Sequence, residues 1–345
     1  MQKLTKILFL LLSLLILASL PLSLVSCSNT VNGVTFYSSG DRSHAGAIAG
    51  KTFEENIYIP EKINEFTITY VSRSGFISHD MVTLSMADSI KYIELKAFHG
   101  CDRLETISFG SGVERIEERA FENCFSLQSL DLPENLTYIG DSAFYDCRSM
   151  TSLYMPDSVT EVGSNAFDCC LSLTSVRLSE NLSALSTAML RGCKALEEIT
   201  LPKNITSIGD DAFNECESLK AISIPNKVTS IGASAFGRCN SLTSVTIPSN
   251  VKTIGYGAFW YCDSLETVII NEGTQSIDAA AFTGCKKLTS ISLPASIESM
   301  DESIFYECES LTDVYFAGSE EDWNAIEGIE TISLPDGATV HFNHK

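Results

Sequence analysis

The chain has 345 residues, of which 44% are hydrophobic, so it contains ample apolar material for a continuous core. Its 44 acidic and 23 basic residues give a formal net charge of −21. A surface this acidic repels phosphate backbones, which excludes nucleic acid as a partner and favours basic protein partners.

Residues 1–26 have the pattern of an export signal. Lys3 and Lys6 precede an apolar run over residues 7–24, and the segment ends at Cys27. An uncleaved membrane helix is the alternative, because about 18 apolar residues can nearly span a bilayer. Polar residues and a proline interrupt the run, and residues 24–27 resemble the lipobox of bacterial lipoproteins. That resemblance implies cleavage before Cys27, lipid attachment to its thiol, and membrane contact through the lipid anchor only.

Two segments separate the export signal from the regular part of the chain. Residues 27–51 are rich in Ser, Gly and Asn, a composition typical of a flexible tether. Pro60 lies 27 residues before Ala87, the next residue at the same position of the sequence repeat, whereas the later repeats are 23 residues long. The first repeat is therefore longer than those that follow. We expect residues 52–81 to form an N-terminal capping repeat, because the open end of a solenoid core must be covered.

A 23-residue repeat dominates the rest of the chain. Cysteine recurs at this spacing, and phenylalanine stands three residues before each cysteine except where Leu190 replaces it. The cysteines are Cys101, Cys124, Cys147, Cys170, Cys193, Cys216, Cys239, Cys262, Cys285 and Cys308.

The unit 242–262 shows how one repeat is expected to fold. Val245 and Ile247 share one face of a short strand, since alternate side chains of a strand point the same way. Pro248 ends the strand, and a short helical or 3-10 turn begins near Phe259. A single coil cannot bury its apolar stripe, so coils stack at about 4.8 Å. The pattern predicts an α/β repeat solenoid over residues 82–316, with a parallel β-sheet on one face and short helical or 3-10 turns on the other.

The unit resembles the BspA-like class of leucine-rich repeats, which ends in Ala-Phe-x-x-Cys-x-x-Leu. The asparagine of the general leucine-rich motif is present at Asn135, Asn181, Asn204 and Asn250. The resemblance covers roughly residues 52–345. It implies a bacterial surface lipoprotein that binds host extracellular matrix or plasma proteins, such as fibronectin or fibrinogen, or other bacteria.

The last segment, residues 317–345, is expected to close the far end of the core. Residues 319–326 begin with serine followed by three acidic residues, a pattern typical of a capped short helix. A final strand is expected at residues 338–342. This segment resembles the terminal cap of the family.

Twelve cysteines in an exported protein normally suggest disulfides. Stacked ladder thiols would lie about 4.8 Å apart, beyond the roughly 3.5–4.5 Å between Cβ atoms that a disulfide requires. We expect buried, unpaired thiols, and a one-dimensional ladder offers no convergent metal site. Cys169, in a variable slot before Cys170, is either an incidental replacement or an exposed reactive thiol.

The sequence shows no constellation of catalytic side chains. None of the five histidines is placed beside a nucleophile and an orienting acid. Acidic residues fill solvent slots of the repeat, and no nucleotide-binding, zinc or EF-hand motif is present. We therefore expect a protein without enzymatic activity or cofactor.

Exposed aromatic residues are the candidate binding residues. The variable slot after each phenylalanine holds Tyr145, Trp260 and Tyr306, and Tyr256 and Tyr261 lie close to Trp260 in sequence. Exposed Trp and Tyr often anchor protein interfaces, so these residues predict a protein-binding patch. The alternative is that the rings only cover the edge of the turn.

Two functions fit these observations. The first is a cell-surface module that binds host or bacterial macromolecules through its repeat surface. The second is a periplasm-facing scaffolding lipoprotein without an external ligand. The sequence leaves open the ligand, the membrane leaflet, the oligomeric state and the face that binds.

Overall fold

The computed structural model describes residues 29–31, 34–38, 45–49 and 55–343. The predicted export signal and Cys27 lie outside these residues. Within the described ranges, no helix is long and apolar enough to cross a membrane.

Successive coils form a solenoid with two ladders of parallel strands and one face of turns. One ladder, here called the long-strand face, contains most strands of three or four residues. Its strands are β4 (Asn56–Ile59), β7 (Thr83–Met86), β9 (Thr106–Ser108), β11 (Ser129–Asp131), β13 (Ser152–Tyr154), β15 (Ser175–Arg177), β18 (Ser244–Ile247), β20 (Thr267–Ile270), β22 (Ser290–Leu293), β24 (Asp313–Phe316) and β25 (Thr339–His341). Residues pair at the repeat spacing, so each slot becomes a column along the molecule.

The second ladder, here called the short-strand face, consists mainly of two-residue strands. They are β6 (Phe66–Val71), β8 (Tyr92–Ile93), β10 (Arg115–Ile116), β12 (Tyr138–Ile139), β14 (Glu161–Val162), β16 (Ser207–Ile208), β17 (Ser230–Ile231), β19 (Thr253–Ile254), β21 (Ser276–Ile277) and β23 (Ser299–Met300), with β5 (Lys62–Ile63) antiparallel to β6. The sequence prediction had one sheet. The second arises because the inward Ile or Val of each pair aligns with its counterpart in the next coil.

The third face differs from the predicted short helical or 3-10 turns. In the coil 96–101, the N–H groups of Ala97 and Cys101 donate to carbonyls three residues earlier. Those of Lys96, Phe98 and Gly100 donate instead to the next coil. Positive φ angles at Lys96 (56°) and Gly100 (70°) interrupt any helix, which requires negative φ throughout. The α/β description therefore fits the solenoid poorly, because its described residues are nearly all strand and turn.

The core lies between the three faces and is continuous. Each coil contributes inward side chains from both ladders together with the Ala-Phe pair and the cysteine of the turn, and nearly all are fully buried. The phenylalanine rings stack from coil to coil, as between Phe121 and Phe144, whose centroids are 5.2 Å apart and whose planes differ by 4°. A single coil cannot bury its own apolar side chains, so their burial between stacked coils holds the solenoid together.

The N-terminal end contains strands inside the predicted tether. Strands β1 (Asn29–Val31), β2 (Val34–Ser38) and β3 (Ala45–Ala49) form an antiparallel array, and β3 pairs in parallel with β6. The predicted tether, residues 27–51, therefore contains regular strands at these positions. The physical reason is that they complete the open edge of the short-strand face, and Val34 is fully buried.

The C-terminal end has the predicted capped helix. Helix α1 (Glu320–Asn324) begins after Ser319, whose side chain accepts from the N–H of Asp322 in a capping box. A 3-10 helix (Ile329–Thr331) follows, and β25 adds the last rung of the long-strand face. Trp323 of α1 packs edge-on against Phe316 and covers the end of the core.

Candidate functional site

The structure brings Trp260 and Tyr261 together on the turn face. Their ring centroids are 5.6 Å apart, and the guanidinium of Arg238 lies 5.4 Å from each ring. This arrangement permits cation–π attraction to both rings. Both aromatic side chains are half-buried, whereas Tyr256 is 52% exposed.

Two glycines explain why these rings are partly buried. A Cβ atom on Gly237 would collide with the indole of Trp260, and one on Gly284 would collide with the Tyr261 ring. Each ring therefore fills the space that a missing side chain leaves in a neighbouring coil. The partial burial of Trp260 and Tyr261 therefore comes from packing against neighbouring coils. Part of each ring covers the edge of the turn, which was the alternative to a binding role.

The two remaining predicted residues lie elsewhere on the turn face. Tyr306 is 60% exposed and borders a cavity at the C-terminal end. Tyr145 is half-buried, and burial raises its pKa, with the neighbouring Cys169 and Asp168 adding to the effect. Tyr145 stands five repeats before Trp260 in the same slot, so the five residues do not form one site.

An exposed column on the long-strand face was not among the predicted sites. It occupies the second outward slot of each strand, and the equivalent position of the two coils that have no strand on this face, and is here called the outward column. Its members are Tyr58, Ser85, Ser108, Asp131, Tyr154, Arg177, Thr200, Ser223, Thr246, Ile269, Ser292, Tyr315 and His341. Within it, Tyr58, Tyr154 and Ile269 are 51%, 46% and 48% exposed. Tyr154 and Ile269 occupy the same position of the repeat, five repeats apart, and this could have indicated the column from the sequence. Hydroxyl residues at neighbouring positions obscured the pattern.

The middle of the outward column presents an aromatic ring beside a fixed cation. The guanidinium of Arg177 lies 5.0 Å from the Tyr154 ring, and its Nη2 is 2.8 Å from a carboxylate oxygen of Asp157. The hydrogen bond from Arg177, together with one from the Glu180 N–H, lowers the pKa of Asp157. Tyr and Arg are the residue types enriched at interface hot spots, and here both side chains are held in place before any partner arrives.

The end of the outward column contains an aspartate–histidine pair. Nε2 of His341 is 2.7 Å from Oδ1 of Asp313, and the imidazole stacks on the Tyr315 ring at 4.9 Å between centroids. Hydrogen bonds from Thr312 and His341 lower the pKa of Asp313. The pair joins β24 to β25 and so fixes the last rung of this face.

The cysteines of the repeat form an internal ladder of hydrogen bonds. Each thiol donates to the phenylalanine carbonyl of the preceding coil, or to that of Leu190, as from Cys262 to Phe236 at 3.1 Å. Burial raises the pKa of Cys101, Cys216, Cys262 and Cys308 to about 12, and raises that of the other ladder thiols. These thiols therefore stay protonated at neutral pH, where the thiolate would be the nucleophile and the metal ligand.

Cys169 is the half-exposed cysteine of the described residues, and all eleven described cysteines are free. Burial, the charge of Asp168 and a hydrogen bond with Asp168 raise the pKa of Cys169 to about 11. A raised pKa disfavours the reactive thiolate. Across the described ranges, no group of three or more His, Cys, Asp or Glu side chains could hold a metal ion.

Comparisons with known proteins agree with this architecture. The family model for the BspA type leucine rich repeat region matches in overlapping segments at residues 69–197, 114–240 and 206–325. A leucine-rich repeat protein from Bacteroides ovatus is similar over 91% of this chain and 99% of its own, with 20% identity and a TM-score of 0.63.

Two further solved structures share the fold. A leucine rich cell surface protein from Faecalibacterium prausnitzii has 24% identity over 89% of this chain and 98% of its own, with a TM-score of 0.53. The pneumococcal vaccine antigen PcpA has 21% identity over 92% of this chain and 99% of its own, also with a TM-score of 0.53. Among curated proteins, no relative matches the chain. Because the repeat model matches most of its length, the chain belongs to the BspA-type leucine-rich-repeat family.

Proposed function

We propose that this chain is a surface-displayed, non-catalytic module that binds other proteins through the outward column of its long-strand face. The observation that carries the proposal is the exposure of Tyr58, Tyr154 and Ile269 at the same position of the repeat on the long-strand face. Tyrosine is among the residue types that anchor protein interfaces, and Tyr58 and Tyr154 expose two such rings on this face. Hydrogen bonds between adjacent coils fix the strands, so this surface loses little conformational entropy when a partner binds.

Relatives of the same fold support the cellular setting. One solved neighbour is described as a cell surface protein and another as a vaccine antigen. A host extracellular matrix or plasma protein, or a protein of another bacterium, fits this setting as the partner. The net charge of −21 favours basic partners and disfavours nucleic acid.

Export and anchoring form part of the proposal. Residues 1–26 direct the chain out of the cytoplasm, and lipid on Cys27 holds it at the membrane, with no other membrane contact. The strands at residues 29–49 then stand between the anchor and the first full coil.

The turn face provides a secondary contact. Tyr256 is exposed, and the packed pair Trp260 and Tyr261 presents ring edges beside Arg238. A partner that spans two faces of the solenoid would reach this patch and the outward column together.

Substitution in the outward column tests the proposal. Binding of purified chain to immobilised fibronectin and fibrinogen is measured for wild type, for Tyr154→Ala with Arg177→Ala, and for Tyr92→Ala. Tyr92 is the matched control, because it is 40% exposed but lies on the short-strand face. We expect the column variant to bind about ten-fold more weakly, a loss of about 1.4 kcal/mol, and the control to bind as wild type. Equal binding by a folded column variant would contradict the proposed face.

A further inference from the structure

A cavity of about 320 Å³ separates the last turn of the solenoid from the cap. One wall is the turn at residues 303–309, and the other is the loop at residues 331–335 after the 3-10 helix. Phe305, Leu334 and Pro335 supply apolar surface, and the Tyr306 ring borders the opening. The cavity is thus the place where a further coil would stack if the repeat continued.

The solenoid turn ends there with unused hydrogen-bond donors. In the preceding coil, the N–H groups of Ala280, Phe282 and Gly284 donate to carbonyls of the last coil. The equivalent N–H groups of Ser303, Phe305 and Glu307 have no acceptor among the described residues.

The spacing of these donors indicates what the cavity accepts. They recur at every second residue and lie along the cavity wall. Ser303 and Glu307 are exposed, whereas Phe305 is only 2% exposed, so an unpaired N–H is most costly at Phe305. An extended peptide offers carbonyl oxygens at every second residue, which matches this row of donors.

The charge around the cavity selects against anions. Residues 288–343 contain twelve Asp and Glu residues and no Lys or Arg. Glu307 and Glu309 line the cavity and have no ion-pair partner among the described residues. The exposed Tyr306 ring offers a face for a cation. The backbone donors alone would suit phosphate, but the carboxylates beside them repel it.

We infer that this cavity binds an extended, lysine- or arginine-bearing segment of a partner protein. The segment continues the turn-face ladder as one more rung, and its carbonyls accept from the N–H groups of Ser303, Phe305 and Glu307. Its cationic side chains lie against Glu307, Glu309 and Tyr306. The inference rests on the proposed protein-binding function and specifies the chemistry of one partner segment.

A charged model peptide tests the cavity. The probe is a fluorescently labelled hexapeptide of alternating lysine and valine with blocked ends, and its glutamate–valine counterpart is the negative probe. Binding to the purified chain is measured for wild type, for Glu307→Gln with Glu309→Gln, and for Glu215→Gln with Glu217→Gln. Glu215 and Glu217 occupy the same two slots four repeats earlier, where the ladder is filled and Glu217 already pairs with Lys194 at 2.7 Å, so they form a control site without free backbone donors.

The carboxylates of Glu307 and Glu309 should determine the affinity for the lysine peptide. We expect the Glu307 and Glu309 variant to bind the lysine peptide about ten-fold more weakly, and the control to stay within about two-fold of wild type. An equal loss in both variants would show general attraction to an acidic protein and overturn the inference, as would binding of the glutamate peptide.

Amide hydrogen exchange tests the backbone contacts directly. Addition of the lysine peptide should slow exchange at Ser303, Phe305 and Glu307, and Tyr306→Ala should weaken this protection while Tyr145→Ala, in the same slot, should not. Unchanged exchange at saturating peptide would overturn the inference. Substitution at Tyr154 leaves the cavity intact, so a failure here and a failure of the outward column are distinguishable.

Discussion

The phenylalanine stack of the solenoid consists of two regular halves that meet at an irregular coil. In the first half, Phe76, Phe98, Phe121, Phe144 and Phe167 stack with centroids 5.0–5.4 Å apart. In the second half, the stack resumes with Phe213, Phe236, Phe259, Phe282 and Phe305 at 5.2–6.4 Å. Leu190 takes the slot between them.

Regular pairing weakens at the junction on both strand faces. The short-strand face is reduced to an isolated bridge between Leu185 and Ile208, and the long-strand face to one between Arg177 and Thr200. The turn face continues across it, since Phe167 donates to Met189 and Leu190 to Ala212 at 3.0 Å each. A buried carboxylate, Asp168, is held there by Arg191 at 2.6 Å.

The difference shows which interactions keep the register. Met189-Leu190 replaces Ala-Phe with similar total volume, so the core remains filled although the aromatic stack is lost. The thiols of Cys193 and Cys216 still donate across the junction, at 3.5 and 3.3 Å. Backbone and cysteine ladders therefore maintain the coil geometry, and the aromatic stack adds stability within each half.

The largest expected effect is alkaline destabilisation of both halves together. The pKa of a ladder thiol rises from 9.0 to about 12 on folding, as for Cys216 and Cys262. The folded state then binds more protons, so this stability is present below about pH 9 and is lost as pH rises toward 12. Each thiol that titrates in that window steepens the loss of stability with rising pH.

Circular dichroism melting at a series of pH values checks this linkage. The Tm should fall steeply above about pH 9, and Cys216→Ala with Cys262→Ala should reduce the slope. A Tm that is flat to about pH 10.5 would show that the thiols do not titrate as their burial requires.

One substitution in a stacked half and one at the junction compare how much each position contributes to the free energy of unfolding. Phe144→Ala deletes a ring that stacks on both sides, at 5.2 and 5.4 Å, and should cost about 3–5 kcal/mol. Leu190→Ala removes less buried area and no stacking, so its cost should be smaller. Urea denaturation of both variants measures the difference, and an equal or larger loss for Leu190→Ala would contradict the assigned role of the stack.

The smallest expected effect is a gain in stability when the junction is given the regular repeat residues. Met189→Ala with Leu190→Phe restores the repeat pair and should join the two stacks, adding about 1 kcal/mol from the new ring contacts. Urea unfolding monitored by circular dichroism should show a higher midpoint and a transition at least as sharp as in wild type. A lower midpoint would mean that the coil geometry at the junction cannot hold a phenylalanine.

The repeat itself was predictable because each core slot recurs at a fixed spacing. Phe, Cys and the inward Val or Ile positions face the same surroundings in every coil, so one unit describes them all. The family resemblance followed from the same residues and is confirmed by the family model.

Other features leave little trace in the sequence. A two-residue strand such as Thr253–Ile254 is too short to show a strand period, so the short-strand face was missed. The left-handed turn positions hold Lys96, Arg119 and Ser142 in successive coils, and these residues do not suggest positive φ. The strands at residues 29–49 are rich in small and polar residues, which concealed their pairing with β6.

Predictions about exposed residues depend on neighbours in other coils. The sequence predicts Trp260 as an exposed anchor, but its ring fills the space left by Gly237 one repeat earlier. The outward column required the register of the long-strand face before Tyr58, Tyr154 and Ile269 could be placed together.

Protease accessibility on intact cells tests the central claim most directly, that the solenoid is displayed outside the cell to meet its partners. Wild type and Cys27→Ala are compared, with lysed cells as the reference. We expect the wild-type solenoid to be digested on intact cells and the Cys27→Ala variant to be released from the membrane. Protection of wild type until lysis would contradict surface display and would favour a periplasmic scaffold.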